Sequence, residues 1–484
     1  MDKIINLESF SIQIMILCMF YPLLFWVHGE GYLALDSFYH IALAQDIAAG
    51  YEGPWLPFTI YENNFPPRHY LFQLILAPFI TVYPFAGSVI FVLILMVVFL
   101  QVYYLLLKSY SVNYPRLWAF MILISCPLFY MRCIQIRPIL IAHILIGCYL
   151  LSLKNNKYIL IFAVSFLFYL TYTAYLVLLL YSLIFMIVEY TYHTKLNAKA
   201  FLFTMSGIIV GYLFHPCFPN NIFIEFNYHY FKLFSNANTI FPVIEWFPLN
   251  TLSIINQFWC LYFLFAVLLL SYRNHSLKLD QTLVYFSLNS LLWLLMFCMS
   301  ARYIDYFYPV FIISFALADS KFETTAPHGN NLNYRKISMT VLLCLSLIYT
   351  EYQTLVEYND IIHVDRLRPS AIWMMNNSNA RDIVLTSTPD SFAELYYHNR
   401  ENIYIHGMDW QYLQAKYPEM AGNIGNVLIG NHKKPSEVIR QYNIRYLFID
   451  LKNYNNDLLQ NCYSDKDLMM AYKDNESIVF KIAS

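Results

Sequence analysis

Asp36-Ser-Phe-Tyr-His-Ile-Ala-Leu-Ala-Gln-Asp-Ile-Ala-Ala-Gly50 follows an apolar run and breaks with it in polarity, and its reading governs the reading of the chain. As a helix it places Asp36, Tyr39, His40 and Leu43 on one face, because positions three and four apart stack along a helix. A carboxylate and an imidazole then stand together just beyond an apolar segment. That pairing suits general-base work on an acceptor hydroxyl or amide. The same residues also fit a plainer arrangement, with Asp36 capping a surface helix and His40 solvated beside it. The window alone leaves both open.

Composition supplies the setting. Apolar residues make up 59% of the 484 and charged residues 13%, and the mean hydropathy is +0.46. Ordinary soluble domains are less apolar and carry about 25% charged residues. The 43 Tyr and 39 Phe suit membrane interfaces and bundle interiors. A net charge of −1 gives no basic stripe, so a nucleic-acid partner is not expected. The nine cysteines have no metal-ligand spacing and mostly lie in apolar runs, where they read as small core residues.

In chain order, residues 10–28 form an apolar span with no small-residue cleavage site after it, which reads as an uncleaved anchor. A long loop, 29–85, holds the Asp36 helix, a turn at Gly53-Pro-Trp55 and the stretch Asn63-Asn-Phe-Pro-Pro-Arg-His69. Residues 70–83 are apolar but fall short of the about 20 residues a crossing needs, which predicts a re-entrant or interfacial helix. Basic connectors then recur at Lys108/Arg116, Lys154/Lys157, Lys195/Lys199, Arg273/Lys278 and Lys321–Lys336, and basic connectors mark the cytoplasmic side. Spans near 86–107, 116–132, 137–153, 158–171, 174–191, 200–215, 251–271, 281–299, 306–319 and 337–353 join the anchor to make about eleven crossings. The expected protein is mainly α, a polytopic transmembrane helical bundle (1–360) followed by a small external α/β domain (361–484). Its N-terminus is cytoplasmic, and a prokaryotic cytoplasmic membrane is the expected location. In the last domain, strands are predicted at 382–387, 402–406, 444–450 and 477–482 and helices at 390–397 and 435–442. No Gly-rich loop follows a strand, which argues against a nucleotide site.

The order Asp36-x-x-Tyr-His-x-x-Leu-Ala-x-x-Ile resembles the first external loop of the catalytic subunit of oligosaccharyltransferases. More broadly it is similar to the GT-C glycosyltransferases, polytopic enzymes that use lipid-phosphate sugars. Two further stretches bear on this. In Met131-Arg-Cys-Ile-Gln-Ile-Arg-Pro138, Arg132 and Arg137 sit at a membrane edge, where a guanidinium needs an anionic partner or snorkels to the headgroups. A lipid phosphate fits the guanidinium fork. Relatives of this kind often carry acidic metal-binding residues in the second external loop, but 132–138 contains none. A divalent metal is therefore compatible with the resemblance but unsupported by a second acidic loop, and no cofactor is required. In Arg302-Tyr-Ile-Asp-Tyr-Phe-Tyr-Pro309, Arg302 and Asp305 are spaced for a local ion pair. The pattern also resembles the late external loop of GT-C enzymes, which implies that Arg302 holds the donor phosphate with Asp305 orienting it.

The aromatic segment His215–Asn250, with His229 and Glu245, reads either as a substrate cover or as an inert interfacial lid. The Trp-Trp-Asp motif of oligosaccharyltransferases is absent, with Asp409-Trp410 its nearest fragment, so protein N-glycosylation is not expected. The resemblance implies an integral-membrane glycosyltransferase that moves a sugar, with inversion, from a polyprenyl-phosphate donor to a lipid, glycan or protein acceptor at the outer face of a cell envelope. Asp36 and His40 are the catalytic candidates. Arg302, Arg137, Arg132 and Arg68 are the phosphate-binding candidates, with Tyr39, Asp305 and Glu245 in support. Two rival classes remain, a lipid-linked-glycan flippase, which predicts charges in mid-span and internal repeats, and a non-enzymatic envelope assembly protein.

Overall fold

The computed structural model describes residues 31–32, 34–50, 53–62, 67–194, 196–222, 240–241, 244–259, 262, 279–325, 341–342, 344–353, 356 and 362–483. The expected anchor at 10–28, His229, most of the expected span at 251–271 and the connector Arg335-Lys336 lie outside the described residues. The chain divides into two compact units. One comprises Met1–His28, Val89–Phe214 and Ile244–Asp360; the other comprises Gly29–Ser88, His215–Val243 and Ile361–Ser484.

The first unit is helical. Its helices stand where apolar runs are bounded by Lys, Pro or polar pairs: Pro84–Ser109, which begins in the other unit, then Ile139–Lys154, Tyr158–Thr171, Leu176–His193, Lys199–Phe214, Gln281–Met299 and Ile304–Thr325. Among the described residues, Pro84–Ser109, Leu176–His193 and Gln281–Met299 are long and apolar enough to cross a membrane. Several other apolar helices are shorter, Tyr158–Thr171 having 14 residues. Gly207 and Gly211 let Lys199–Phe214 lie close against Tyr158–Thr171, since a Cβ on Gly207 would fall 2.4 Å from the Phe162 carbonyl oxygen.

The stretch expected as a span near 116–132 is two helices, Pro115–Ile124 and Pro127–Ile134, which are together long and apolar enough for one crossing and meet at an 85° bend. Pro127 is the cause, because its ring removes a backbone donor and cannot continue the first helix. The break frees carbonyls and amides that need partners away from water. Thr350 Oγ1 donates to the Ile124 oxygen at 2.6 Å and the Leu128 amide to Gln257 Oε1 at 2.6 Å, while the Met121 carbonyl, still bonded to the Ser125 amide, also accepts from Tyr308 Oη at 2.8 Å.

The second unit is α/β. Its strands are β1 (Gly31–Tyr32), β2 (Ile362–His363), β3 (Ile383–Thr386), β4 (Ile403–Tyr404), β5 (Tyr446–Asp450), β6 (Leu468–Lys473) and β7 (Ser477–Ile482). β1 and β2 pair antiparallel, and the other five form one sheet in the order β4-β3-β5-β7-β6. β3 runs parallel to β4 and β5, whereas β7 is antiparallel to β5 and β6. The Leu35–Ala48 helix buries Ala42 and Leu43 in one core with Phe392, Leu395 and Phe448. Loop 29–85 was assigned from sequence to the helical body, but this shared core groups it with residues 361–484.

Candidate functional site

In the first unit, two prolines bracket a cationic turn. Pro127 opens the short helix that carries Arg132 in its last turn, and the chain then leaves the helix at Gln135 and reaches Arg137 just before Pro138. Arg132 is buried. Its Nε and Nη2 donate to the two carboxylate oxygens of Asp305 at 2.8 and 2.9 Å, and its Nη1 donates to Glu245 Oε2 at 2.9 Å. The other Glu245 oxygen accepts from Arg137 Nη1 at 3.1 Å. Glu245 stands on the turn Ile244–Trp246, which is tied to the next element through its backbone: Ser300 Oγ donates to the Glu245 carbonyl and the Ala301 amide to the Phe247 carbonyl. That second turn, Ala301–Tyr303, carries Arg302 with its guanidinium 5.0 Å from the centre of the Trp246 ring.

The cluster therefore joins three arginines to two carboxylates, an excess of one positive charge. Burial alone pushes the Glu245 carboxyl up, but the guanidiniums of Arg132, Arg137 and Arg302 outweigh it and hold the group well below the usual carboxylate range. The local Arg302–Asp305 pair expected from sequence is not the arrangement seen at Asp305. Both oxygens of that carboxylate are engaged by Arg132, 173 residues away in the chain. A bidentate fork in a buried setting is the stronger geometry, and it makes Arg132 a fixed support for the two other guanidiniums.

In the second unit, Asp36 lies in the first turn of Leu35–Ala48 and not at its cap, which is Ala34. A carboxylate there is favoured by the helix dipole. Asp36 is half-buried and His40 buried. His40 Nδ1 lies 3.3 Å from the Gln73 amide nitrogen. Rings of His69 and Phe72 pack edge-on against His40. Burial raises the Tyr39 phenol well above its ordinary range, with Arg68, Asp409 and Asp36 all close enough to bear on it. Arg68 lies over the rings of Tyr61 and Tyr412 and donates to Tyr412 Oη at 3.0 Å, with Asp409 4.0 Å away. The unit thus brings Asp36, Tyr39, Arg68 and Asp409 into one neighbourhood, while His40 belongs to the packing of Leu35–Ala48 on Tyr70–Ile80.

Sequence reasoning did not single out Asp390, whose carboxyl is raised by burial and by the charges of Asp36 and Asp450. It sits in the turn after β3, and nothing local in the sequence links it to Asp36. Trp246 was also passed over, although its adjacency to Glu245 was the available signal. Among the described residues no three His, Cys, Asp or Glu side chains group as metal ligands.

Three solved structures share this architecture. The archaeal oligosaccharyltransferase AglB from Archaeoglobus fulgidus, in complex with an inhibitory peptide and a dolichol-phosphate, aligns with a TM-score of 0.60 at 13% identity over 92% of this chain and 70% of its own. ArnT from Cupriavidus metallidurans, bound to undecaprenyl phosphate, aligns at 0.56 and 12% identity over 97% of both chains. These are GT-C glycosyltransferases. The chain has the GT-C fold. The mycobacterial arabinofuranosyltransferase AftD aligns at 0.56 and 11% identity, over 98% of this chain and 41% of its own. No family model and no curated protein sequence matches. The GT-C likeness stated from residues 36–47 and 302–309 is thus met in the fold over nearly the whole chain.

Proposed function

We propose that the chain is an integral-membrane glycosyltransferase that moves a sugar from a polyprenyl-phosphate donor to a lipid, glycan or protein acceptor at the outer face of the membrane. The observation that carries this reading is the arginine–carboxylate cluster, built on the buried Arg132–Asp305 pair and carrying surplus positive charge, on a GT-C fold. AglB and ArnT were captured with dolichol-phosphate and undecaprenyl phosphate, and a leaving lipid phosphate is the anion such a cluster suits. Arg137 and Arg302 bind the donor phosphate, while Arg132 positions them through Glu245. The basic connectors support a cytoplasmic N-terminus, about eleven crossings and an outer location for residues after 360.

In the reaction, Asp36 takes the proton of the acceptor nucleophile as that atom bonds to the anomeric carbon. The bond from that carbon to the phosphate oxygen breaks, and the electron pair leaves with the phosphate, which the guanidiniums stabilise. Attack opposite the leaving group inverts the centre. The ends-of-helix positions of Arg132 and Asp305 favour a lipid-edge binding site over the mid-span charges that a flippase requires.

Asp36→Asn tests the base. Asn keeps the shape, and since Asp36 is not the cap, the helix-dipole contact that the substitution gives up is worth about 0.3–1 kcal/mol. The expected result is normal insertion and a transfer rate reduced about 10²–10⁴-fold, measured with a panel of lipid-phosphate sugars in membranes holding equal amounts of protein. Retention of more than a minor fraction of the transfer rate removes Asp36 from the mechanism.

A further inference from the structure

The second unit contains a polar cavity of about 700 Å³ that the proposed chemistry does not use. Pockets for small ligands run from about 300 to 1,000 Å³, so this one has room for more than a single sugar ring. It opens where the Asp382 end of β3, the Arg445 end of β5 and the Lys481 end of β7 meet. Tyr446 forms part of its wall and is fixed by donating its hydroxyl to the Asn377 carbonyl at 2.7 Å.

The charge of the lining is distinctive in a chain of net charge −1. Arg440, Arg445 and Lys481 face one carboxylate, Asp382, an excess of two positive charges. Asp382 is already committed to its own loop, where one oxygen accepts the Asn379 amide at 2.9 Å. Arg440 reaches Asp467 at 3.1 Å, but both side chains are about half exposed, and such pairs exchange partners at little cost. Among the described residues no ion pair involves Arg445 or Lys481. Interleaved with these cations are the side-chain amides of Asn379 and Asn443. An amide both donates and accepts, which matches vicinal hydroxyls, whereas a guanidinium and an ammonium match a carboxylate or phosphate.

We infer that this cavity binds an anionic carbohydrate, a glycan segment whose sugars carry a carboxylate or a phosphate. The amides read the hydroxyls, the Tyr446 ring gives an apolar wall to a sugar face, and Arg445 with Lys481 holds the acidic group. The lining includes neither Asp36 nor any residue of the arginine cluster, and the inference does not rest on the transferase reading.

The test uses the full chain in lipid nanodiscs, titrated calorimetrically with trigalacturonate, with neutral galactotriose and with inorganic phosphate. Trigalacturonate is expected to bind, to weaken as salt rises, and to lose about tenfold or more in affinity in the Arg445→Ala/Lys481→Gln double variant, since two charge-assisted contacts go. Galactotriose should bind at least tenfold more weakly, and phosphate likewise. Asn443→Ala, which keeps the charge, should weaken the acidic sugar but leave phosphate unchanged. Equal binding of the neutral and acidic sugars overturns the proposal, as does phosphate binding as tightly as the sugar or an unchanged double variant. Asp36→Asn should leave this titration at the wild-type value, so a failure of the transfer chemistry and a failure of this site are read separately.

Discussion

Arg302 and Arg132 should fail in different ways when removed, although both are arginines of one cluster. Arg132→Ala takes a buried guanidinium away from Asp305, whose side chain is 2% exposed, and from one oxygen of Glu245. Breaking a buried pair from one side leaves an uncompensated charge and costs about 3–5 kcal/mol. A typical domain has about 5–15 kcal/mol in total, so this variant should accumulate poorly or melt far below wild type. Arg302 is half-buried over Trp246, and losing that contact costs about 0.5–1 kcal/mol. Arg302→Ala is therefore expected to cost less stability than Arg132→Ala, whose guanidinium is buried. Its defect should lie in turnover, where one donor to a developing anion is worth about 10²–10³ in rate. Arg302→Lys keeps the charge but not the fork, and should recover only part of that loss. The assay pairs thermal melting of purified protein with sugar transfer against donor concentration. Wild-type donor kinetics in Arg302→Ala, or a wild-type melt in Arg132→Ala, refutes this division of labour.

Three other outcomes are expected. Cysteines placed near Lys108 and Lys154, in a background without the exposed Cys298, should resist a membrane-impermeant thiol reagent in intact cells, while one near Asn455 should label; uniform labelling ends the topology proposed. Asp46→Asn should lower the melting temperature of the protein more than Asp36→Asn does, because buried Asp46 is paired to Arg400 Nε at 2.6 Å and accepts from Tyr396 Oη. Burial pushes Glu394 up to about 7 despite its bond to Arg366, which also holds Asp450. The folded state therefore keeps a proton that the unfolded chain releases near its ordinary value, so this group's contribution is full below about pH 4.5 and is lost as pH rises toward 7. The melting temperature of wild type should accordingly fall relative to Glu394→Gln over that window, and a constant difference between the two would rule this out.

The helices of the first unit were legible because an apolar run ending in Lys or Pro has few alternatives, and the 281–299 and 158–171 boundaries coincide with those found. The bend at Pro127 was not read, since hydropathy is blind to a missing amide. Strand β6 was missed for a different reason: Leu468-Met-Met-Ala-Tyr-Lys473 is an edge strand with Met469 and Met470 exposed, so no alternation marks it. At the candidate site, spacing suggested the nearest partner for Asp305, whereas the fold supplies Arg132 from another helix. A three-residue interval reports what a helix permits; it does not report which of several guanidiniums arrives with the better fork. Residues 29–85 show the same limit at larger scale, since the partners of Ala42 and Leu43 lie some 350 residues onward in the sequence.

The arginine cluster also constrains where pH can act. Glu245, held by three guanidiniums, stays ionised at neutral pH. Its loss of charge would require acid strong enough to outweigh all three, so Glu245 keeps its negative charge from about pH 5 to pH 8. An ester phosphate of a lipid donor keeps at least one negative charge over the same range. Neither partner of the phosphate contact then titrates, and donor affinity should be flat across it. On the proposed mechanism, any limb in the pH–rate profile belongs to the acceptor half of the reaction, to the group that takes the proton. The two halves of the mechanism can therefore be separated in the wild-type protein: donor KM reports the cluster, and the pH dependence of kcat reports the base. A donor KM that moves with pH in step with kcat would mean that Glu245 titrates, and that the cluster is not held as its geometry requires.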